Sequence, residues 1–177
     1  VVLATQNPIE QEGTYPLPEA QIDRFMLKVV VDYPTRDEER MIINRVTSDP
    51  KIHLNPVVDI EALLHAREIV QQIYVDDKVK EYVLDLIGAT RHPSAIALPE
   101  LAELISYGAS PRAGIYLVNA ARANAFINGR GYVTPDDIKE LAMDVLRHRI
   151  IVSYEAESQE VTSSEIIQKI FDHIEVP

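Results

Sequence analysis

Three residues of this sequence have types and positions suited to chemistry on a phosphate: Asn7, Arg24 and Arg112. Asn7 directly follows a short apolar run and precedes Pro8. At the end of a strand its amide would face the sheet edge where α/β folds bind ligands, and it could orient a water there. The alternative is that Asn-Pro is ordinary turn chemistry, and the dipeptide by itself favours the turn.

Arg24 follows a short helix predicted over residues 18–24 and precedes a second apolar run, with Asp23 beside it to hold its guanidinium. An arginine at such an edge can neutralise charge on a transferred phosphoryl group, which is the role of an arginine finger. The alternative is a surface ion pair between Asp23 and Arg24 that contributes little energy. The local sequence alone favours the ion pair.

Arg112 lies in the first turn of a helix that begins at Ser110-Pro111. The helix dipole disfavours a cation at that end by about 0.3–1 kcal/mol. The free N–H groups of a helix start attract anions such as phosphate, so an arginine placed there indicates an anion at this position. A solvated surface arginine is the alternative.

Two segments must position these residues. The runs 1–5 and 26–31 are short, rich in β-branched residues and without polar alternation, which is typical of strands buried in a parallel α/β sheet. From Thr35 onward, helical periodicity follows repeated N-terminal capping signals, and only 149–154 is predicted as a short strand. The sequence therefore predicts a mainly α protein: residues 1–34 are a remnant of an α/β core, and residues 35–177 are a helical domain.

The predicted helix starts each carry a residue that favours capping. Two of these starts, at Thr35 and Thr162, are capping boxes, in which a glutamate follows the threonine after three residues. The predicted helices begin near Thr35, Asp59, Asp76, Ser110, Thr134 and Thr162.

Composition excludes several classes of function. Asp and Glu total 28 against 17 Lys and Arg, and the net charge of −11 repels a nucleic acid backbone. No Cys is present, which excludes disulfides and thiolate metal sites and fits a cytoplasmic protein. The five His residues lack the paired spacing of a metal site. We therefore expect no metal ligands, no nucleic acid partner and, from the absence of a long apolar run, no membrane span.

Several motifs taken together resemble the MoxR family of AAA+ ATPases. The motifs are residues 4–8 (ATQNP), 12–25 (EGTYPLPEAQIDRF), 108–113 (GASPRA), 130–138 (RGYVTPDDI) and 147–150 (RHRI). The resemblance covers nearly the whole chain. It implies the C-terminal helical lid domain of an AAA+ protein together with a two-strand remnant of the parallel P-loop ATPase core.

The resemblance also implies a role for each candidate residue. Asn7 would be the sensor 1 residue that helps to orient the attacking water. Arg24 would be the arginine finger, reaching the nucleotide of an adjacent subunit. Arg112 would be the sensor 2 arginine that contacts the phosphates. ATP and Mg²⁺ are the implied cofactors. The implied partners are the protein's own subunits in a ring, expected to be a hexamer, together with von Willebrand factor A domain proteins and client protein complexes.

One departure from the family pattern is large. The sequence contains no G-x-x-x-x-G-K-[ST] loop and no apolar strand ending in Asp-Glu, which hold phosphate and Mg²⁺ and normally precede the sensor 1 strand in this family. Because the first residue is Val1, we expect a segment upstream of it, and we expect this chain alone to be inactive. The competing hypothesis is a non-enzymatic acidic helical interaction module, which has no need of two arginines placed for phosphate.

Overall fold

The structure is a computed structural model that describes residues 2–6, 17–48 and 54–177. Helices make up most of the described residues, which confirms the mainly α fold class. The helices are α1 (Glu19–Ile22), α2 (Arg36–Ser48), α3 (Ile60–Gln72), α4 (Asp77–Arg91), α5 (Leu101–Leu104), α6 (Pro111–Ile127), α7 (Pro135–Leu146), α8 (Tyr154–Ser158) and α9 (Ser163–His173). A 3₁₀ turn covers Pro93–Ile96, and two short strands are β1 (Ile105–Tyr107) and β2 (Ile151–Val152).

The predicted helix starts are confirmed, and those at Thr35, Asp59, Asp76, Thr134 and Thr162 depend on local side-chain hydrogen bonds, whereas Ser110 forms no such cap at α6. Asp59 and Asp76 cap α3 and α4 by accepting from backbone N–H groups of the first turn. Thr134 and Thr162 form complete capping boxes at α7 and α9, and Thr35 exchanges the same pair of hydrogen bonds with Glu38 at α2.

The hydrophobic core lies among α4, α6, α7 and α9. Along α6, the small side chains of Ala113, Ala121 and Ala125 are fully buried, so α7 and α4 can pack closely against this helix. The largest fully buried apolar side chains are Leu86, Leu101, Leu117, Ile138, Leu146, Ile166, Ile167 and Ile170. The domain is therefore stabilised by burial of aliphatic surface between helices.

The two short strands close one edge of the helical domain. β1 pairs antiparallel with β2, with Ile105 opposite Val152 and Tyr107 opposite Ile151. The backbone N–H of Ser153 also donates to the carbonyl of Leu104. β2 falls within the strand predicted over residues 149–154, whereas β1 was not predicted, because three residues carry too little periodicity to be recognised.

The strand prediction for residues 1–5 and 26–31 is wrong for the described part of both runs. Residues 2–6 and 27–31 are neither helix nor strand, and Val31 is 88% exposed. A strand needs a neighbouring strand to satisfy its backbone groups, and within the described ranges neither run has one. Residues 26–28 instead bind the helical domain through the Met26 carbonyl and the Lys28 N–H.

Across residues 2–6, 17–48 and 54–177, the helices are all too short or too polar to cross a bilayer.

A buried carboxylate fixes the turn between α6 and α7. Asp137 is 1% exposed and accepts from both terminal nitrogens of Arg130 at 2.7 and 2.5 Å and from Asn124 at 3.0 Å. The backbone N–H and hydroxyl of Thr134 donate to the same carboxylate. Burial alone would raise the pKa of Asp137, but these hydrogen bonds outweigh it and lower the pKa to about 2.

The network around Asp137 predicts a pH-dependent contribution to stability. Because the folded pKa lies below the unfolded value, the contribution is complete above about pH 4 and is lost as the pH falls towards 2. Asp137→Asn should lower the free energy of unfolding by about 2 kcal/mol at pH 7. Urea unfolding of both proteins between pH 7 and 3 measures this. A difference between the two proteins that stays constant down to pH 3 would contradict the assigned pKa.

Candidate functional site

The Asp23 carboxylate binds three side chains of the helical domain. It accepts from the Ser110 hydroxyl at 3.1 and 3.2 Å, from Nη1 of Arg112 at 3.0 Å and from Nε of Arg149 at 3.0 Å. Asp23 directly follows α1, and Ser110 and Arg112 begin α6. The carboxylate therefore joins the N-terminal segment to the positive end of α6, where the helix dipole favours an anion.

Arg149 grips the backbone next to Arg24. Its side chain has no exposed surface, and its Nη2 donates to the carbonyls of Asp23 at 2.9 Å and Phe25 at 2.5 Å. Its Nη1 donates to the Met26 carbonyl at 3.3 Å and to the carbonyl of Val145 at the end of α7. All five N–H groups of the guanidinium thus have acceptors, four of them on residues 23–26.

Three further contacts hold the same segment. The Tyr116 hydroxyl donates to the Arg24 carbonyl at 3.1 Å, and Nε2 of His148 lies 3.0 Å from the Phe25 carbonyl. The Lys28 N–H donates to the Asp144 carbonyl at 2.8 Å. Each carbonyl from residue 23 to residue 26 therefore accepts a hydrogen bond from the helical domain.

Burial and neighbouring groups set the protonation states of Arg149 and His148 in this region. Burial lowers the pKa of Arg149, and the carboxylate of Asp23 opposes that effect. The guanidinium also lies over the Tyr116 ring, 5.0 Å from its centroid. Burial lowers the pKa of His148, so the ring is neutral at pH 7, and Nε2 must carry the proton because the Phe25 carbonyl can only accept.

The start of α6 is fixed by the end of α4. The Ala109 N–H donates to the Thr90 hydroxyl at 2.9 Å, and Nε of Arg91 donates to the Ala109 carbonyl at 2.7 Å. Gly108 lies so close that a Cβ there would be 2.3 Å from the Thr90 carbonyl oxygen. The backbone before Ser110 and Arg112 is therefore locked against α4.

The structure places two of the three predicted site residues. The side chain of Arg24 is exposed, whereas its backbone is held by Tyr116. The side chain of Arg112 is 43% exposed and forms an ion pair with Asp23. Asn7 lies outside the described residues. The structure thus brings Arg24 and Arg112 together, because both are attached to Asp23, one through the chain and one through an ion pair.

The predicted local pairing of Asp23 with Arg24 is wrong. The Asp23 carboxylate binds Arg112 and Arg149, which are 89 and 126 residues away in sequence. Within the described part of the chain, the guanidinium of Arg24 forms no salt bridge. The side chain of Arg24 is therefore exposed and forms no ion pair with the residues that the structure describes.

Sequence reasoning missed Arg149, Tyr116 and His148. The run Arg147-His148-Arg149 follows a predicted helix, and favourable interaction of its positive charges with the helix dipole is a sufficient local explanation for it. A stronger signal was available, because three apolar residues, 150–152, follow Arg149 directly and place it where the chain enters the core. An arginine in such a place must find several acceptors.

The helical domain has the fold of the AAA lid domain. The family profile of the AAA lid domain matches residues 101–170, and that of the ATPase family associated with various cellular activities (AAA) matches residues 1–27. A candidate ATPase from Cytophaga hutchinsonii, known from a crystal structure, is 41% identical with a TM-score of 0.90 over 97% of this chain and 52% of its own.

Similarity over the whole of this chain narrows the class to one family of AAA ATPases. The chaperone MoxR1 of Mycobacterium tuberculosis is 40% identical over 100% of this chain and 47% of its own length. The protein YeaC of Bacillus subtilis is also 40% identical, over 99% of this chain and 52% of its own. The chain belongs to the MoxR family of AAA ATPases, and it spans about half the length of these relatives.

The close contact at Gly108 gives a testable prediction. Gly108→Ala forces a methyl group into the Thr90 carbonyl and should lower the free energy of unfolding by about 1–3 kcal/mol. Gly88→Ala is the matched control, because a Cβ at that position in α4 meets no atom within 4 Å. The control should raise stability by up to about 1 kcal/mol, since alanine favours helix over glycine. Urea unfolding compares the two variants, and equal effects would refute the contact.

Proposed function

We propose that this chain is the finger-bearing and lid-bearing part of a MoxR-type AAA ATPase, and that the protein containing it hydrolyses ATP to remodel protein complexes or assist their maturation. The observation that carries the proposal is the exposed side chain of Arg24 on a backbone held by consecutive hydrogen bonds, beside Arg112 at the start of α6. A fixed backbone with a free guanidinium is what a group acting on a phosphoryl transition state requires.

In this proposal Arg24 is the arginine finger. Its side chain is exposed and has no ion-pair partner in the described part of the chain, so it can reach a nucleotide bound by an adjacent subunit. A guanidinium presents several donors to the oxygens of a transferred phosphoryl group and stabilises the charge that develops there. The hydrogen bonds to residues 23–26 already fix the backbone, so little further conformational entropy is lost when the side chain of Arg24 binds a nucleotide.

Arg112 is proposed as the sensor 2 arginine. It lies in the first turn of α6, where backbone N–H groups and the helix dipole favour an anion. In this structure the Asp23 carboxylate binds the Arg112 guanidinium, which supports an anion-binding role for this arginine. A nucleotide phosphate would compete with Asp23 for the same guanidinium. Asn7 is proposed as sensor 1 on family resemblance alone.

The remaining parts of the machine follow from the family. ATP and Mg²⁺ are the proposed cofactors, held by phosphate and metal loops that this sequence does not contain. Residues 1–34 are proposed as part of the ATPase core and residues 35–177 as the lid. The protein would act as a ring homo-oligomer, a hexamer, in the cytoplasm, with von Willebrand factor A domain proteins as partners. The proposal of protein-complex clients is supported by the relative named as a chaperone.

A first prediction concerns the chain alone. Purified residues 1–177 should hydrolyse ATP no faster than background, because no phosphate-cradling loop or Mg²⁺-binding acid is present in the sequence. Phosphate release at millimolar ATP and Mg²⁺ measures this, with Arg112→Ala as the check for contamination. Turnover that Arg112→Ala abolishes would contradict the proposal.

A second prediction concerns Arg24 in the longer protein that supplies the phosphate loop. Arg24→Ala should lower turnover by about 10³-fold or more while ATP affinity changes much less, because a finger acts mainly on the transition state. Arg40→Ala is the matched control, since Arg40 is an exposed arginine of α2 whose ion pair, among the described residues, is with Asp37. Steady-state hydrolysis and nucleotide binding are measured on both variants.

The same variant tests action between subunits. Arg24→Ala mixed with a variant lacking the Mg²⁺-binding acid should recover activity, because a mixed ring can pair an intact nucleotide site with an intact Arg24. Normal turnover of Arg24→Ala would refute the finger. Inactive mixtures from variants that co-assemble would refute action in trans. If neither of the two variants binds ATP, the acidic interaction module is favoured instead.

A further inference from the structure

We propose that Arg149 is the positioning residue of the arginine finger, fixing the segment that carries Arg24 to the lid. The inference rests on the proposed function of Arg24 and extends it to the lid. Arg149 donates to the carbonyls of Asp23, Phe25 and Met26, so it binds the chain on both sides of the finger residue.

The grip is specific to a guanidinium. Nε of Arg149 binds the Asp23 carboxylate while Nη1 and Nη2 reach backbone carbonyls in different directions. A lysine at this position could keep the ion pair with Asp23, but its single nitrogen cannot serve three carbonyls and a carboxylate together. The charge and the fork geometry of Arg149 can therefore be separated by one substitution.

The segment has little else to hold it in the described structure. Residues 27–31 belong to neither helix nor strand, and α1 before it is only four residues long. The other contacts are those of Ser110 and Arg112 with the Asp23 carboxylate, together with those of Tyr116, His148 and the Asp144 carbonyl with the backbone, and all of them come from the lid. The position of Arg24 is thus set by the lid, and a movement of the lid displaces the finger with it.

The test uses Arg149→Lys in the longer ATPase. Turnover at saturating ATP should fall about 10- to 100-fold, because a misplacement of about 1 Å has that effect on a positioned group. ATP affinity should change less than about twofold, since the ion pair between Asp23 and Arg112 remains. Arg147→Lys is the matched control: Arg147 directly follows α7 and pairs with Asp144, and within the described residues its side chain forms no hydrogen bond or ion pair with residues 23–28.

A double variant separates positioning from a general structural role. If Arg149 acts through Arg24, Arg24→Ala with Arg149→Lys should be no slower than Arg24→Ala alone. Losses that multiply in the double variant, or normal turnover of Arg149→Lys, would overturn the inference. Normal turnover of Arg24→Ala would remove the finger itself and would be recognised before Arg149 is considered.

Hydrogen exchange provides a readout that does not depend on activity. In the 177-residue chain, the amides of Arg24, Phe25 and Lys28 should exchange faster in Arg149→Lys than in Arg147→Lys, at equal melting temperature. Unchanged exchange at these amides would overturn the inference that Arg149 holds this segment, whatever the kinetics show.

A second variant covers the case in which Arg149→Lys does not fold. Tyr116→Phe removes only the hydroxyl that binds the Arg24 carbonyl and keeps the ring beneath Arg149. It should reduce turnover by a smaller factor and add nothing to the loss caused by Arg24→Ala. Unchanged turnover of Tyr116→Phe, or losses that multiply with those of Arg24→Ala, would overturn the inference.

Discussion

The buried guanidinium of Arg149 is the constraint on which the arrangement of the site depends. A charge without exposed surface is tolerated only when its partners satisfy it, and here every N–H group has an acceptor. Four of the acceptors belong to residues 23–26. The path of that segment is therefore determined by the lid residue it satisfies, and the exposed side chain of Arg24 follows from that path.

The rest of the domain places the two ends of this interaction. Arg149 lies three residues after the end of α7, and the start of α7 is fixed by the buried carboxylate of Asp137. The start of α6 is set by α4 through Thr90 and the close approach of Gly108. Because α6 and α7 pack against each other and against α4, Ser110, Arg112 and Arg149 converge on one carboxylate.

Local features of the sequence predicted the fold well, and non-local features were not predictable. The caps at Thr134 and Thr162 involve residues three apart, so each helix start could be recognised without the rest of the chain. The strand expected at 26–31 failed because a strand depends on a neighbour that composition does not reveal. The ion pair between Arg112 and Asp23 was not predictable, because no local pattern connects residues 89 positions apart.

The two arginines that form ion pairs with Asp23 differ in their exposure to solvent. The side chain of Arg112 is 43% exposed, whereas that of Arg149 is fully enclosed. Dissolved ions screen an exposed ion pair far more effectively than a buried one. Rising ionic strength therefore weakens the ion pair between Arg112 and Asp23 first and leaves the buried ion pair between Arg149 and Asp23 intact. The ion pair with Arg112 can therefore weaken while Arg149 still holds Asp23 and the segment that carries Arg24.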